Sequence, residues 1–482
     1  MSPAARLRAD LLATGATLAV LLVVVLRGDR IPANGGLGYD GVRYAAIARD
    51  FTLDRLSGLQ PYMFQRILPP AIVHASLRVL GVPRTDRNII RAFLVLDIAA
   101  IVLGVLLWCR AASALELSNR ARFLGFAALS LAHANLRIAP FNPVMTDSAA
   151  FLVGCAMLYC HLTRRWLGLA VVTLAGAFTW PVAMYAGGLL LVFPREEEEK
   201  RDPGGAPRRA LAAALSASIL ALAFIGWILA SDRAPVGIYE RHIRPLVPLS
   251  SALTALYLFF ALRPLLDDGS AWACLRPGRV LRSGRFWLVA TGVLALRAIF
   301  SLVPRAADSR NFSTLSHFRR IFYQSVVQPG VSIVGHTLYY GPFLLFLVFQ
   351  WKPVIGSIRR QGPGFVWVMA LTVLLAVGSN SRQLIFLYPF VVFALVHATE
   401  RMSWGRIRTM SIAVLCVVFS KVWLPMDRDL VLPFFDDVAW RTLFMSSQGH
   451  WLNHRLYAIE AAGVVGVAFL LFFSYVRGAR SK

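Results

Sequence analysis

Acidic side chains are scarce in this sequence: 25 Asp and Glu stand against 50 Lys and Arg, giving a formal net charge of +25. The basic residues are nearly all arginine, scattered through short segments between apolar runs. That pattern argues against a nucleic-acid-binding face, which needs its Lys and Arg clustered. Cysteine is sparse too. Cys109, Cys155, Cys160 and Cys416 fall in apolar runs and Cys274 in an arginine-rich segment, with no CxxC pair and no metal-ligand spacing to histidine. Neither a disulfide framework nor a structural zinc site is implied. Charge of either sign reaches only 16%. The longest polar segment assigned to the inside, "REEEEKRDPGGAPRR", is acidic then basic with Pro and Gly, and reads as a solvated linker. No internal repeat and no soluble domain is present to host a separate activity.

What the sequence has in abundance is apolar length. Of its 482 residues 57% are apolar, and the mean hydropathy of +0.61 is far above that of an ordinary soluble domain. The composition predicts an all-α polytopic membrane protein. The first run, "LLATGATLAVLLVVVL", is followed by no small-residue cleavage site, so it reads as a retained span and not as a signal peptide. Windows of suitable length place about twelve full crossings near 10–27, 89–109, 121–138, 145–162, 210–230, 249–263, 286–304, 332–350, 364–378, 383–398, 408–424 and 456–476. The run 166–193 is too long for one span and too short for two. "FTWPVAMYAGG" interrupts it, and the expectation is a pair of half-helices that enter and leave on the same side.

Residues 67–81, "ILPPAIVHASLRVLGV", decide the topology, because counting them as a span inverts everything downstream. With that segment lying flat at the surface, the segments assigned to the cytoplasm carry about twice the Lys and Arg density of the opposite side, as the positive-inside rule requires. Both termini are then expected in the cytoplasm, and the long loops 28–88, 231–248, 304–331 and 425–455 outside.

Three external features stand out. Asp40 lies in "GYDGVRY" just after the first span. Asp147 lies in "NPVMTDSAAFL" at the outer start of a later one. Arginines lie at Arg66 in "PYMFQRILPP", at Arg305, Arg310, Arg319 and Arg320 around "SHFRRIF", and at Arg382 in the short turn "SNSR". Each has a plain structural reading. "TDS" can cap a helix, arginines near span ends can anchor to headgroups, and Tyr-Asp-Gly is good turn chemistry. Together they carry more. One well-placed carboxylate can take a proton from a hydroxyl or amine acceptor, and a guanidinium fork suits phosphate oxygens. Acid and arginines at headgroup level suit attack by an acceptor on a sugar carried by a lipid phosphate. Tyr39 and Tyr44 offer amphipathic rings to such a sugar.

These features resemble the integral-membrane GT-C glycosyltransferases that use polyprenyl-phosphate sugars. The resemblance rests on the acid after the first span, the interfacial stretch behind it, "MTD" at an outer helix start, and the broken half-helices after "TRRW". "GYDGVRYAAIARD" with "PYMFQRILPP" resembles the opening of an uncharacterised bacterial group of that superfamily. It implies a single transmembrane domain over 1–482, with 1–230 as the GT-C-like module and 231–482 as a C-terminal transmembrane module. It implies an inverting enzyme of the inner membrane, working on its external face. Asp40 would be the catalytic base and Asp147 the second acid; Arg382, Arg66, Arg319 and Arg320 would hold the donor phosphate; Tyr39, Tyr44 and His317 would contact sugar or acceptor. The implied partners are a polyprenyl-phosphate-linked sugar, a lipid, glycan or protein acceptor, and membrane lipids. No cofactor is read from the sequence, and a divalent metal near Asp40 stays open. Asp40 lacks the acidic neighbour frequent in the family, and "FTWP" stands where Lys or Glu is common.

Three other classes compete. A lipid-linked glycan ligase or polymerase would work through Arg and His, using His317, Arg319 and Arg320 or His450 and His454. A transporter or flippase would need repeated pairs of interrupted helices, which are absent, and a relay richer than Asp97, Arg297 and Glu460, which instead read as paired or cavity-lining groups. A scaffold has only the long loops in its favour.

Overall fold

The computed structural model describes residues 3–195, 206–231, 244–303, 314–400, 405–424 and 454–480. Every regular element among them is helical, as the composition predicts. The principal helices are α1 Pro3–Arg27, α2 Gly41–Arg49, α3 Leu68–Val79, α4 Asp86–Ala114, α5 Asn119–Ser130 and α6 Asp147–Leu162. They continue as α7 Trp166–Ala177, α8 Ala183–Val192, α9 Ala206–Ala230, α10 Val247–Leu266, α11 Gly284–Leu302 and α12 Thr314–Val326. The last six are α13 Val331–Tyr340, α14 Phe346–Arg359, α15 Pro363–Leu375, α16 Tyr388–Thr399, α17 Arg406–Ser420 and α18 His454–Arg480.

Five of these, α1, α4, α9, α10 and α11, are long and apolar enough to cross a bilayer. Two of them start with ordinary capping chemistry. Thr85 accepts from the Asn88 N–H at the head of α4, and Ser283 accepts from the Phe286 N–H at the head of α11. Many large apolar side chains of α11, among them Leu288, Leu294 and Leu302, are exposed, which is the surface a lipid-facing helix presents. α16 lies at the opposite extreme. Nearly all of it is buried, against α5, α6 and α14, and it forms the centre of the bundle.

Several expected crossings are interrupted. The run 121–138 stops as α5 at Ser130 and resumes as a π-type turn at Ala134–Ile138. The run 332–350 is divided between α13 and α14, because Gly341 at φ 101° followed by Pro342 cannot continue a helix ladder. Residues 166–193 do form two short helices, of 12 and 10 residues, parted at the Thr179–Trp180–Pro181 break. α3 has 12 residues, about 18 Å of helix, too short for a hydrocarbon core of about 30 Å. It packs on α2 and α4.

The internal charges are mostly paired. Lys421 lies 3.9 Å from Glu460 with both side chains buried, Arg137 lies 3.5 Å from Asp29, and Arg122 bonds Asp10. Asp97 is buried beside the Ser148 hydroxyl. Arg297 is exposed.

Candidate functional site

The glycines of "GYDG" explain where Asp40 sits. A Cβ on Gly38, at φ 73°, would come within 2.5 Å of Asn142 Oδ1, and one on Gly41 within 2.8 Å of the Val144 carbonyl. Only glycine lets the start of α2 press so closely on the segment leading to Asp147. The Asp40 carbonyl accepts the Arg43 and Tyr44 N–H groups and so begins α2, while its side chain makes no capping bond. The carboxylate has no hydrogen bond or ion pair among the described residues and is partly open. Turn chemistry therefore accounts for the Asp40 backbone and leaves its acid unused.

One helical turn on, Tyr44 is fully buried and its hydroxyl finds no partner. This corrects the expectation that its ring stacks on a sugar: α2 turns Tyr44 into the protein, while Tyr39, ahead of the helix, is 54% exposed. Burial pushes the Tyr44 phenol upward from its ordinary pKa, opposed by the positive charge of Arg66 and, more weakly, of Arg382, with Asp40 adding to the rise. Its hydroxyl is thus within electrostatic reach of all three charged groups.

Asp147 and Arg382 meet directly. Arg382 Nε donates to Asp147 Oδ1 and its terminal nitrogen to Oδ2, both at 2.9 Å, a two-point fork with 13% and 19% of the two side chains exposed. Asp147 opens α6, and no side-chain cap forms there, so its carboxylate serves the arginine. The turn Ser381–Leu384 that carries Arg382 is braced from three directions. His336 Nδ1 lies 2.9 Å from Ser381 Oγ, Tyr340 donates to the Ser381 carbonyl at 2.6 Å, and Trp180 Nε1 donates to the Gln383 carbonyl at 3.4 Å.

Arg66 lies on the same face. Its guanidinium is stacked between Trp180, 3.8 Å away, and Tyr62, 4.3 Å away. It is 4% exposed, it donates to Thr146 Oγ1 at 3.4 Å, and its Nε is left without a partner. Above it runs α12. Ile321 packs on Gly378, just ahead of the Arg382 turn, and His317 lies close enough to Arg320 and Arg66 for both charges, after burial, to hold its imidazole down to about 4. Arg319 also buries an unpartnered Nε, whereas Arg320 is exposed. Arg305, Arg310 and His450, and the His454 side chain, lie outside the described residues.

The fold therefore gathers Asp40, Tyr44, Arg66, Asp147, Arg382 and His317, and leaves Tyr39 and Arg320 at the rim. It adds residues that sequence reasoning missed. Tyr62 and Trp180 sandwich Arg66, Thr146 accepts from it, and Tyr339 places a buried, unpartnered hydroxyl within reach of Asp147 and Arg382. Trp180 had one legible signal, its place before the proline that breaks the α7–α8 run. Among the described residues no three His, Cys, Asp or Glu side chains are grouped to hold a metal ion. No family model, curated protein or solved structure matches the chain. Function has to be argued from this geometry.

Proposed function

We propose that the chain is an integral-membrane glycosyltransferase that moves a sugar from a polyprenyl-phosphate donor to an acceptor, with inversion, at the external membrane face. The observation that carries the reading is an unpaired carboxylate in one cluster with two buried guanidiniums, all three charges acting on the Tyr44 hydroxyl. Asp40 is partly open and unengaged, while Arg66 is fixed by stacking with its Nε still without a partner, and Arg382 by ion pairing. The acceptor hydroxyl gives its proton to Asp40 as its oxygen bonds the anomeric carbon. The bond from that carbon to the phosphate oxygen breaks, and the electron pair stays on the phosphate, against Arg66 and Arg382. Asp147, with both oxygens on Arg382, acts by orienting that arginine and not as a second base.

The topology belongs to the same proposal: both termini in the cytoplasm of a bacterial inner-membrane protein, and the site outside. The test is release of polyprenyl phosphate from a lipid-linked sugar by purified protein. Asp40→Asn, nearly isosteric and breaking no contact, should lose about a hundred- to ten-thousand-fold in turnover, the usual worth of a general base. Near-normal turnover in that variant would end the assignment. A second reading then takes over, because burial favours the neutral form of the His317 imidazole and Arg66 is among the charges acting on it: a ligase in which imidazole accepts the proton and the arginines hold a diphosphate.

A further inference from the structure

A second cluster of arginines lies apart from the site above, at the head of α4. Arg30, Arg87 and Arg91 line an open cavity of about 300 Å³ together with Gly35 and Ile90. All three arginines are exposed, and none has a hydrogen bond or ion pair among the described residues. The nearby acids are engaged elsewhere: Asp86 bonds Arg49, and Asp29 faces Arg137. Arg87 and Arg91 are one turn apart on one helix, an arrangement of like charges that disfavours the helix unless an anion comes between them.

The wall opposite α4 is built to hold its shape. Asn34, Gly35 and Gly36 all have positive φ, at 52°, 64° and 96°, and a Cβ at Gly36 would come within 3.2 Å of Ile90 Cδ1. The loop is thus pinned on α4 beside Arg87 and Arg91. Three guanidiniums with no carboxylate among them, around a space this size, match a phosphate with part of its substituent. What lies beneath them separates a lipid from a free ion. The stripe of α4 that carries Arg87 and Arg91 continues through Val95, 67% exposed, and Ala99, also exposed, along a helix long enough to cross a bilayer. An anion held by the arginines has an apolar, outward-facing track directly below it.

We propose that Arg30, Arg87 and Arg91 form a binding site for the phosphate of an anionic lipid headgroup, with the acyl chains lying along the exposed stripe of α4. This proposal does not depend on the glycosyltransferase reading. The full-length protein in detergent is titrated with phosphatidylglycerol, with phosphatidylcholine, and with inorganic phosphate, and retained lipid is read by native mass spectrometry beside the thermal midpoint. Wild type should bind and be stabilised by phosphatidylglycerol, and R87Q/R91Q should weaken that binding at least about tenfold through loss of charge-assisted contacts. R55Q/R78Q removes two exposed external arginines away from the cavity and should bind as wild type does. R87K/R91K should fall between, which guards against a folding defect in the Gln variant. Equal loss in R55Q/R78Q overturns the site in favour of diffuse surface charge. Equal protection by inorganic phosphate overturns the lipid as its occupant, and unchanged binding in R87Q/R91Q overturns the proposal outright.

Discussion

Removing the Asp147 carboxylate tests whether that acid is there to hold Arg382. Asp147→Asn leaves the Arg382 guanidinium without its counter-ion in a setting where 19% of the arginine side chain is exposed. Breaking a largely buried pair from one side costs about 3–5 kcal/mol, because the orphaned charge stays desolvated. The opposite perturbation should cost less. Arg382→Gln strands a carboxylate in the first turn of α6, where the helix dipole compensates it by about 1–2 kcal/mol, so about 2–3 kcal/mol is expected. Asp147→Asn with Arg382→Gln leaves no buried charge unpaired and should cost at least about 1–2 kcal/mol less than the two single changes added. Unfolding in mixed detergent and denaturant, followed by tryptophan fluorescence, measures all four proteins of the cycle. Additive costs, or Arg382→Gln as the costlier single change, would refute the pairing as the reason Asp147 is there.

Other outcomes follow from the same geometry. Gly41→Ala puts a methyl within 2.8 Å of the Val144 carbonyl; it should push α2 off that segment, cost about 1–3 kcal/mol by overpacking, and lower turnover further than stability, by misplacing Asp40. Arg66→Lys keeps the charge and loses the planar stack on Trp180 and Tyr62; it should raise the donor KM by about tenfold with a smaller change in kcat, and an unchanged KM would reduce Arg66 to a structural role. His317 is held down to about 4 when folded and titrates near 6.5 when unfolded, so the unfolded chain takes up the proton first as pH falls. Stability carried by the neutral imidazole is whole above about pH 6.5 and drains away towards pH 4. His317→Asn should flatten that part of the unfolding profile, measured as denaturation midpoint against pH, and an unaltered slope would show that His317 is solvated.

What the sequence made legible, and what it hid, divides along physical lines. Apolar length is additive along the chain, so the helical class and the approximate place of α1, α4, α9, α10 and α11 could be read directly. Interruptions depend on single residues that a window averages away: Gly341–Pro342 parts one expected crossing, and the π-type turn after His133 another. Partners across the bundle leave no local trace either. Asp147 and Arg382 are 235 positions apart, and nothing local in the sequence pairs them. The sequence already reads "GYDG" as carrying the base and "TDS" as a second acid or a helix cap. What it does not show is that the fold spends both oxygens of the Asp147 carboxylate on an arginine and none of Asp40's. That difference is what makes Asp40 the candidate base: the Asp147 carboxylate is committed to a fixed arginine, and the Asp40 carboxylate has no bond to give up before it meets an acceptor.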